Sequence, residues 1–263
     1  YVVKNEPAGE RCRRMSIAVP LRETVRPGQF VHLQIAEPPD LILRRPFSIY
    51  AVHPWKNALT NVDILYTVVG RGTKLLAKKK PLDRVGFLGP LGRGFRIDRA
   101  ARDILLVAGG IGIAPFLPLA HELLKKNRRA RSRLLFGART AAELHGLRDF
   151  EELPIDIATS TDDGSTGRKG LVTDLIRDVL KKRTIRPREC RMYVCGPEKM
   201  MAAVSRIALD RDIPCQLSLE KRMGCGLGAC RACVVRLAGS GKPRYSRVCI
   251  DGPVYDAKEI ILE

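Results

Sequence analysis

The sequence predicts a multidomain β plus α/β protein: an N-terminal antiparallel barrel over residues 1–98, a central parallel-sheet domain over 99–214, and a small cysteine-bearing segment over 215–263. Three observations lead there. Short strands broken by Pro and Gly fill the first third. Strands and helices then alternate at the spacing of a parallel sheet covered on both faces. Last, four cysteines stand as C-x4-C-x2-C followed after fifteen residues by a fourth. A length of 263 residues agrees with two or three units, and 45% hydrophobic residues suffice for their cores.

In the first unit the strands are read at 28–36, 45–52, 61–69 and 84–92, with a helix at 72–80 after the third. The second unit opens on the apolar strand "DILLVAGG" at 103–110 and a helix at 114–127. Strands at 132–139 and 155–160 follow. The helix at 170–182 places Val172, Leu175, Ile176, Val179 and Leu180 on one face. A strand at 191–196, a helix at 197–212 opening on Pro197, and a strand at 215–220 end the series.

Cys225, Cys230 and Cys233 fall within nine residues, and Cys249 follows. Zinc also takes four thiolates, but structural zinc sites usually draw their ligands from two close doublets. Three ligands on one loop and a distant fourth form the plant-type pattern of a 2Fe-2S cluster. Gly224, Gly226 and Gly228 allow the loop to fold closely around it, with backbone N–H groups toward the sulfur. Cys12, Cys190 and Cys215 read as small buried hydrophobes. Cys195 closes a strand at "YVCGP", where strand ends of parallel sheets face the ligand crevice.

"GGIGIAPF" follows a strand and opens a helix, so Gly110 and Gly112 suit a phosphate turn. Pro115 replaces the third glycine of the dinucleotide fingerprint, which leaves an ordinary glycine-rich strand-to-helix turn as the alternative. Asp162 and Asp163 follow the strand at 155–160; a carboxylate there accepts from a ribose 2′-hydroxyl and repels a 2′-phosphate, which favours NAD over NADP.

"RPFSIY" and, about twenty residues on, "YTVVGRGTKLL" resemble the flavin site of the ferredoxin reductase superfamily. The resemblance implies that Arg45, Pro46, Phe47 and Ser48 hold the isoalloxazine of FAD, with Leu65, Tyr66 and Thr67 beside them and Gly72 and Thr73 at the pyrophosphate. It also sets Cys195, Gly196 and Pro197 beside the nicotinamide. Relatives often carry Arg where this chain has Thr67; Arg71 is near enough in sequence to supply that charge. Glu220, just before the cysteine loop, has two readings: a place near the flavin ring or a salt-bridged structural role.

"SLEKRMGCGLGACRACVV" with "RVCIDGPVYDAKEI" resembles the electron-transfer subunits of type B dihydroorotate dehydrogenases, and the likeness spans nearly the whole chain. It implies an oxidoreductase with FAD-binding barrel, NAD-binding sheet and cluster segment. The partner would be an FMN-containing catalytic subunit, two copies of each forming a heterotetramer. Electrons from dihydroorotate would pass through the cluster and FAD to NAD⁺. The alternative is a subunit of the same architecture serving another complex, such as a sulfide dehydrogenase or a ferredoxin-NADP reductase.

A net charge of +19 attracts anions, nucleic acid included. Aromatics make up only 5% and none flank the basic runs at 121–133 and 181–191, so a stacking nucleic-acid surface is not expected. The longest uncharged run, 104–120, contains three glycines and two prolines, which argues against a membrane span. Scattered cysteines without a disulfide framework fit a cytoplasmic, reducing compartment.

Overall fold

A computed structural model describes residues 1–36, 41–181 and 185–262. The end of the helix expected at 170–182 and part of the basic run at 181–191 lie outside the described residues.

The first unit is a six-stranded antiparallel sheet: β1 (Val2–Gly9), β2 (Cys12–Val19), β3 (Phe30–Gln34), β4 (Arg45–Pro54), β5 (Thr60–Thr67) and β6 (Gly86–Leu91). Its order is β1-β2-β5-β4-β3-β6. Main-chain bonds from Val2 N–H to the Asp83 carbonyl and from Leu82 N–H to the Val2 carbonyl, 2.9 and 2.8 Å, draw the open edges together into a barrel. Val31, Leu33, Ile49, Val62 and Ile64 fill its interior. The sequence reading placed no strand before residue 28, so the β1–β2 hairpin is an addition. Pro7 hides it, because proline normally breaks a ladder, but β1 is an edge strand that pairs only with β2. A short helix α1 (Arg71–Ala77) follows β5.

The second sheet contains β7 (Asp103–Gly109), β8 (Arg131–Ala138), β9 (Asp156–Thr161), β10 (Arg168–Lys169), β11 (Cys190–Cys195) and β12 (Cys215–Ser218). Its helices are α2 (Phe116–Lys126), α3 (Arg148–Glu151), α4 (Val172–Lys181) and α5 (Glu198–Leu209). β7 shows why the sheet needs two covers. Leu105 and Val107 pack with α4 and α5, whereas Ile104, Leu106 and Ala108 pack with α2 and with Tyr50 and Leu65 of the barrel. The barrel therefore rests on one face of the sheet through apolar contact. A polar latch adds to it: Tyr50 Oη donates to Asp149 Oδ2 at 2.5 Å, and Arg14 bridges Asp149 and Asp63 at 3.2 and 2.7 Å.

The last strands are β13 (Val234–Leu237), β14 (Tyr245–Arg247), β15 (Val254–Asp256) and β16 (Ile260–Ile261). The second sheet runs β10-β9-β8-β7-β11-β12-β15, so it takes in the strand read at 215–220 and reaches on to β15, past the domain boundary read at 214. β12 pairs parallel to β11, and β15 closes the edge antiparallel to β12. Burial explains this: Leu217 is 0% exposed and Tyr255 6%, and each strand would be uncovered without the other.

Candidate functional site: a nucleotide cleft beside a cysteine loop

Where barrel, sheet edge and cysteine segment meet there is a cleft of about 780 Å³. β4 contributes Arg45, Pro46, Phe47 and Ser48, all half-buried. β5 contributes Leu65, Tyr66 and Thr67, and the turn into α1 contributes Arg71, Gly72 and Thr73. From the sheet come Gly112 and Cys195, and from the segment after β12 come Glu220 and Met223.

Local chemistry fixes each wall. Thr73 Oγ1 accepts from the Val69 and Gly70 N–H groups at 2.9 and 3.1 Å, which shapes the turn that opens α1. Asn5 holds the other end of α1, its amide donating to the carbonyls of Leu76 and Lys79, both at 2.9 Å. Tyr66 Oη donates to the same Asn5 at 3.0 Å, so the β5 wall and α1 share one anchor on β1. Arg45 packs across the turn, its Nε 3.4 Å from the position a Cβ on Gly72 would take, and Nη1 donates to the Leu43 carbonyl at 2.6 Å.

The parallel strand order places a topological switch between β7 and β11, whose carboxyl ends are Gly109 and Cys195. Ligands of open α/β sheets bind at such a point. A Cβ on Gly112 would lie 2.4 Å from the Cys195 carbonyl oxygen. The tightness that selects glycine there is thus contact with the neighbouring strand end, where the sequence reading had looked to ligand approach. Gly110, Gly196, Pro197 and Asp162 lie along the same edge but outside the cleft lining. Burial first, then the nearby Glu220 carboxylate, push the Cys195 thiol up to about 12, so it stays protonated and neutral. Glu220 is exposed and, among the described residues, forms no ion pair. The salt bridge belongs to the next residue, where Lys221 Nζ meets both oxygens of Glu198 at 2.9 and 3.1 Å.

The four cysteines come as two doublets. Cys225 and Cys230 interact at the outer turn, Cys233 and Cys249 in the interior. The β13–β14 register, with Val234 opposite Arg247, carries Cys249 back beside Cys233, and the Cys249 N–H donates to Cys233 Sγ at 3.4 Å. Main-chain N–H groups of Cys230 and Leu227 point at Cys225 Sγ from 3.4 and 3.3 Å and bring its thiol down to about 6. Burial and the neighbouring Cys233 thiol push Cys249 up to about 11. Cys225 is thereby disposed to carry charge, while Cys249 surrenders its proton only to a cation. Gly226 and Gly228, at φ +72° and +78°, make the left-handed turns between the ligands. Among the described residues no three potential ligands converge on a single metal position. Four thiols in one segment, with the Leu227 and Cys230 N–H groups already aimed at Cys225 Sγ, fit the donor set of a 2Fe-2S cluster.

The sequence reading overlooked Phe30, Ser218, Leu219, Lys221 and Met223 as cleft residues. β12 lies parallel beside β11, so its end must open on the same edge. That rule was a usable signal for Ser218 and Leu219. Phe30 offered none, because its strand was legible but its outward face was not.

Two family models match this arrangement: the iron-sulfur cluster binding domain of dihydroorotate dehydrogenase B over residues 220–261, and the oxidoreductase NAD-binding domain over residues 106–206. The dihydroorotate dehydrogenase B (NAD(+)) electron transfer subunit of Desulforamulus reducens is 40% identical over 90% of this chain and 87% of its own. That of Geobacillus sp. (strain WCH70) is 38% identical over 99% of this chain and 97% of its own. Among solved structures, the NADH-dependent reduced ferredoxin-NADP oxidoreductase superposes with a TM-score of 0.85 at 30% identity, covering 99% of this chain and 89% of that one. A fold of barrel, nucleotide sheet and cluster loop, matched end to end at this identity, leaves one assignment: the chain belongs to the family of dihydroorotate dehydrogenase B electron transfer subunits.

Proposed function

We propose that the chain carries electrons from the catalytic subunit of a dihydroorotate dehydrogenase to NAD⁺, with the cleft holding FAD and the cysteine loop holding a 2Fe-2S cluster. One observation carries the reading. The cleft walls include Met223, two residues from Cys225, so a two-electron site and a one-electron site share a boundary. Flavin supplies the conversion between them, because nicotinamide exchanges a hydride and the cluster single electrons.

The protein's own residues provide position and field. Arg45–Ser48 and Leu65–Thr67 form one wall for the ring system, and Gly72 and Thr73 shape the turn that receives the pyrophosphate. Gly110, Gly112, Cys195, Gly196 and Pro197 frame the nicotinamide side at the sheet's switch point. The neutral Cys195 thiol itself adds no charge to that side. Asp162, exposed at the end of β9, meets the adenosine ribose and disfavours a 2′-phosphate. Cys225, Cys230, Cys233 and Cys249 hold the cluster.

The partner is an FMN-containing catalytic subunit, joined two and two in a heterotetramer. Eight cysteines free of disulfides suit the reducing cytoplasm, and no helix among the described residues is long and apolar enough to cross a membrane. Alone the chain reduces a dye with NADH; mixed with the catalytic subunit it couples dihydroorotate oxidation to NAD⁺ reduction. Dihydroorotate turnover by the chain alone, or none by the reconstituted complex, refutes the division of labour.

A second reading, service to a different redox partner, is favoured by the 0.85 TM-score against the ferredoxin-NADP oxidoreductase. Higher identity to the dihydroorotate dehydrogenase subunits, 40% against 30%, favours the first. Co-purification of the native partner decides between them.

A further inference from the structure

His32 has the position of a surface residue and the burial of a core one. Val31 and Leu33 turn into the barrel interior, so His32 and Phe30, alternating with them on β3, stand on its outer face. His32 is nevertheless 0% exposed. Its cover is the cysteine loop: a Cβ on Gly226 would lie 2.5 Å from His32 Nδ1. Phe30 beside it packs in the apolar cluster that contains Cys233 and Cys249. On the opposite side, the β3–β4 register sets His32 across from Pro46 in the cleft wall.

The imidazole thus fills the gap between the strand that lines the cleft and the turn that carries the first cysteine. Neither ring nitrogen has a hydrogen-bond partner at full geometry, although the backbones of Arg44 and Cys225 lie close enough to act on the ring. Buried polar groups are normally paired, and an apolar side chain of similar volume would fill this space without the desolvation cost.

We propose that His32 is a positioning residue for electron transfer: its imidazole fixes the main chain at Cys225–Gly226 against the flavin strand and so sets the separation of cluster and cleft. The proposal rests on the reading that loop and cleft hold those two cofactors. Metal sites depend on such outer contacts, whose loss typically weakens metal binding by about 10–100-fold. Electron transfer also falls steeply with distance, so a loop free to shift would spread the transfer rates.

The test uses the cluster-loaded, FAD-loaded chain. Wild-type protein first establishes two irons and one FAD per chain; their absence there refutes the cofactor reading and leaves His32 aside. His32→Leu keeps the volume and removes the nitrogens. It should retain FAD, broaden the EPR signal of the reduced cluster, and release iron to a chelator about tenfold faster. Either His32→Asn or His32→Gln, which put an amide nitrogen near Nδ1 or Nε2, should restore the line shape. A wild-type EPR signal and release rate in H32L overturns the proposal, as does equal impairment of all three variants, which would mean that the shape of the ring and not its nitrogens holds the loop. If H32L fails to fold, His32→Met decides, because it too fills the space without ring nitrogens. H32M should retain FAD with a broadened signal; an unchanged signal overturns the proposal.

Discussion

The cleft and the cysteine loop adjoin, yet they are built by opposite means. Cleft walls come largely from strands and strand ends such as Phe30 and Ser218, 188 residues apart, held by ladders and by anchors such as Asn5. The loop draws its four sulfurs from residues 225–249 and contains no regular element before β13. Its main-chain N–H groups are spent on sulfur instead of on a ladder. A site made from rigid elements is formed before its ligand arrives. A site made from glycine turns and thiols awaits the ion that completes it.

That contrast is broken most severely at the loop. Cys230→Ser should abolish the coupled dihydroorotate-to-NAD⁺ reaction and the EPR signal while leaving FAD bound, as read by iron, flavin and activity assays. Cys12→Ala, inside the barrel–sheet core at 1% exposure, should keep its iron. Loss of FAD along with iron in C230S would mean that the cleft depends on the loop after all.

Damage from the cleft side should be smaller and should spare the iron. Gly112→Ala drives a methyl toward the Cys195 carbonyl oxygen, 2.4 Å away, and main chain cannot yield as a side chain does. An overpacking cost of about 1–3 kcal/mol is expected, with a raised KM for NADH and two irons retained. A variant with wild-type denaturation midpoint and KM would show that the strand ends part freely.

The latch between barrel and sheet tests whether the cleft is rigid because its walls are fastened together. Tyr50→Phe removes the donor to Asp149 but leaves Arg14 in place, so a loss of about 1 kcal/mol is expected in equilibrium unfolding. FAD affinity should fall with it, and the cluster signal should not change.

The smallest effect is one of pH. His145 is 5% exposed with Nδ1 buried against Gly9, and burial holds it below its ordinary value. Below pH about 6.5 the unfolded chain binds a proton that the folded chain resists, so stability falls as pH falls, by at most about 1.4 kcal/mol per unit. His145→Asn should flatten that slope between pH 7 and 5 relative to wild type. An unaltered difference in Tm across that range would remove His145 from the account.

Most elements were legible because their periodicity is local. "DILLVAGG" reads as a strand on its own apolar run and occupies Asp103–Gly109, and the apolar face expected at 170–182 appears as α4 with Val172, Leu175 and Ile176 buried. The β1–β2 hairpin was lost to Pro7, since an edge position excuses a missing N–H and edges cannot be seen from one strand. The cluster segment's return to the sheet through β15 was equally invisible, because a three-residue strand carries no period.

What the sequence determined by itself was chemistry that spacing imposes, four thiols on a glycine loop and a glycine turn after a strand; the Arg-Pro-Phe-Ser strand and the Gly-x-Gly-Thr turn were joined by their resemblance to a flavin site. Ligand type and turn conformation depend on neighbours within a few residues, so they are written in order along the chain. Tertiary structure alone decided which of these pieces meet. Gly112 is held by Cys195, Gly226 by His32, and Asn5 by the far end of α1, contacts that span 83, 194 and 71 residues. Such pairs are chosen by how sheets stack and which faces they bury, and no local pattern carries that information.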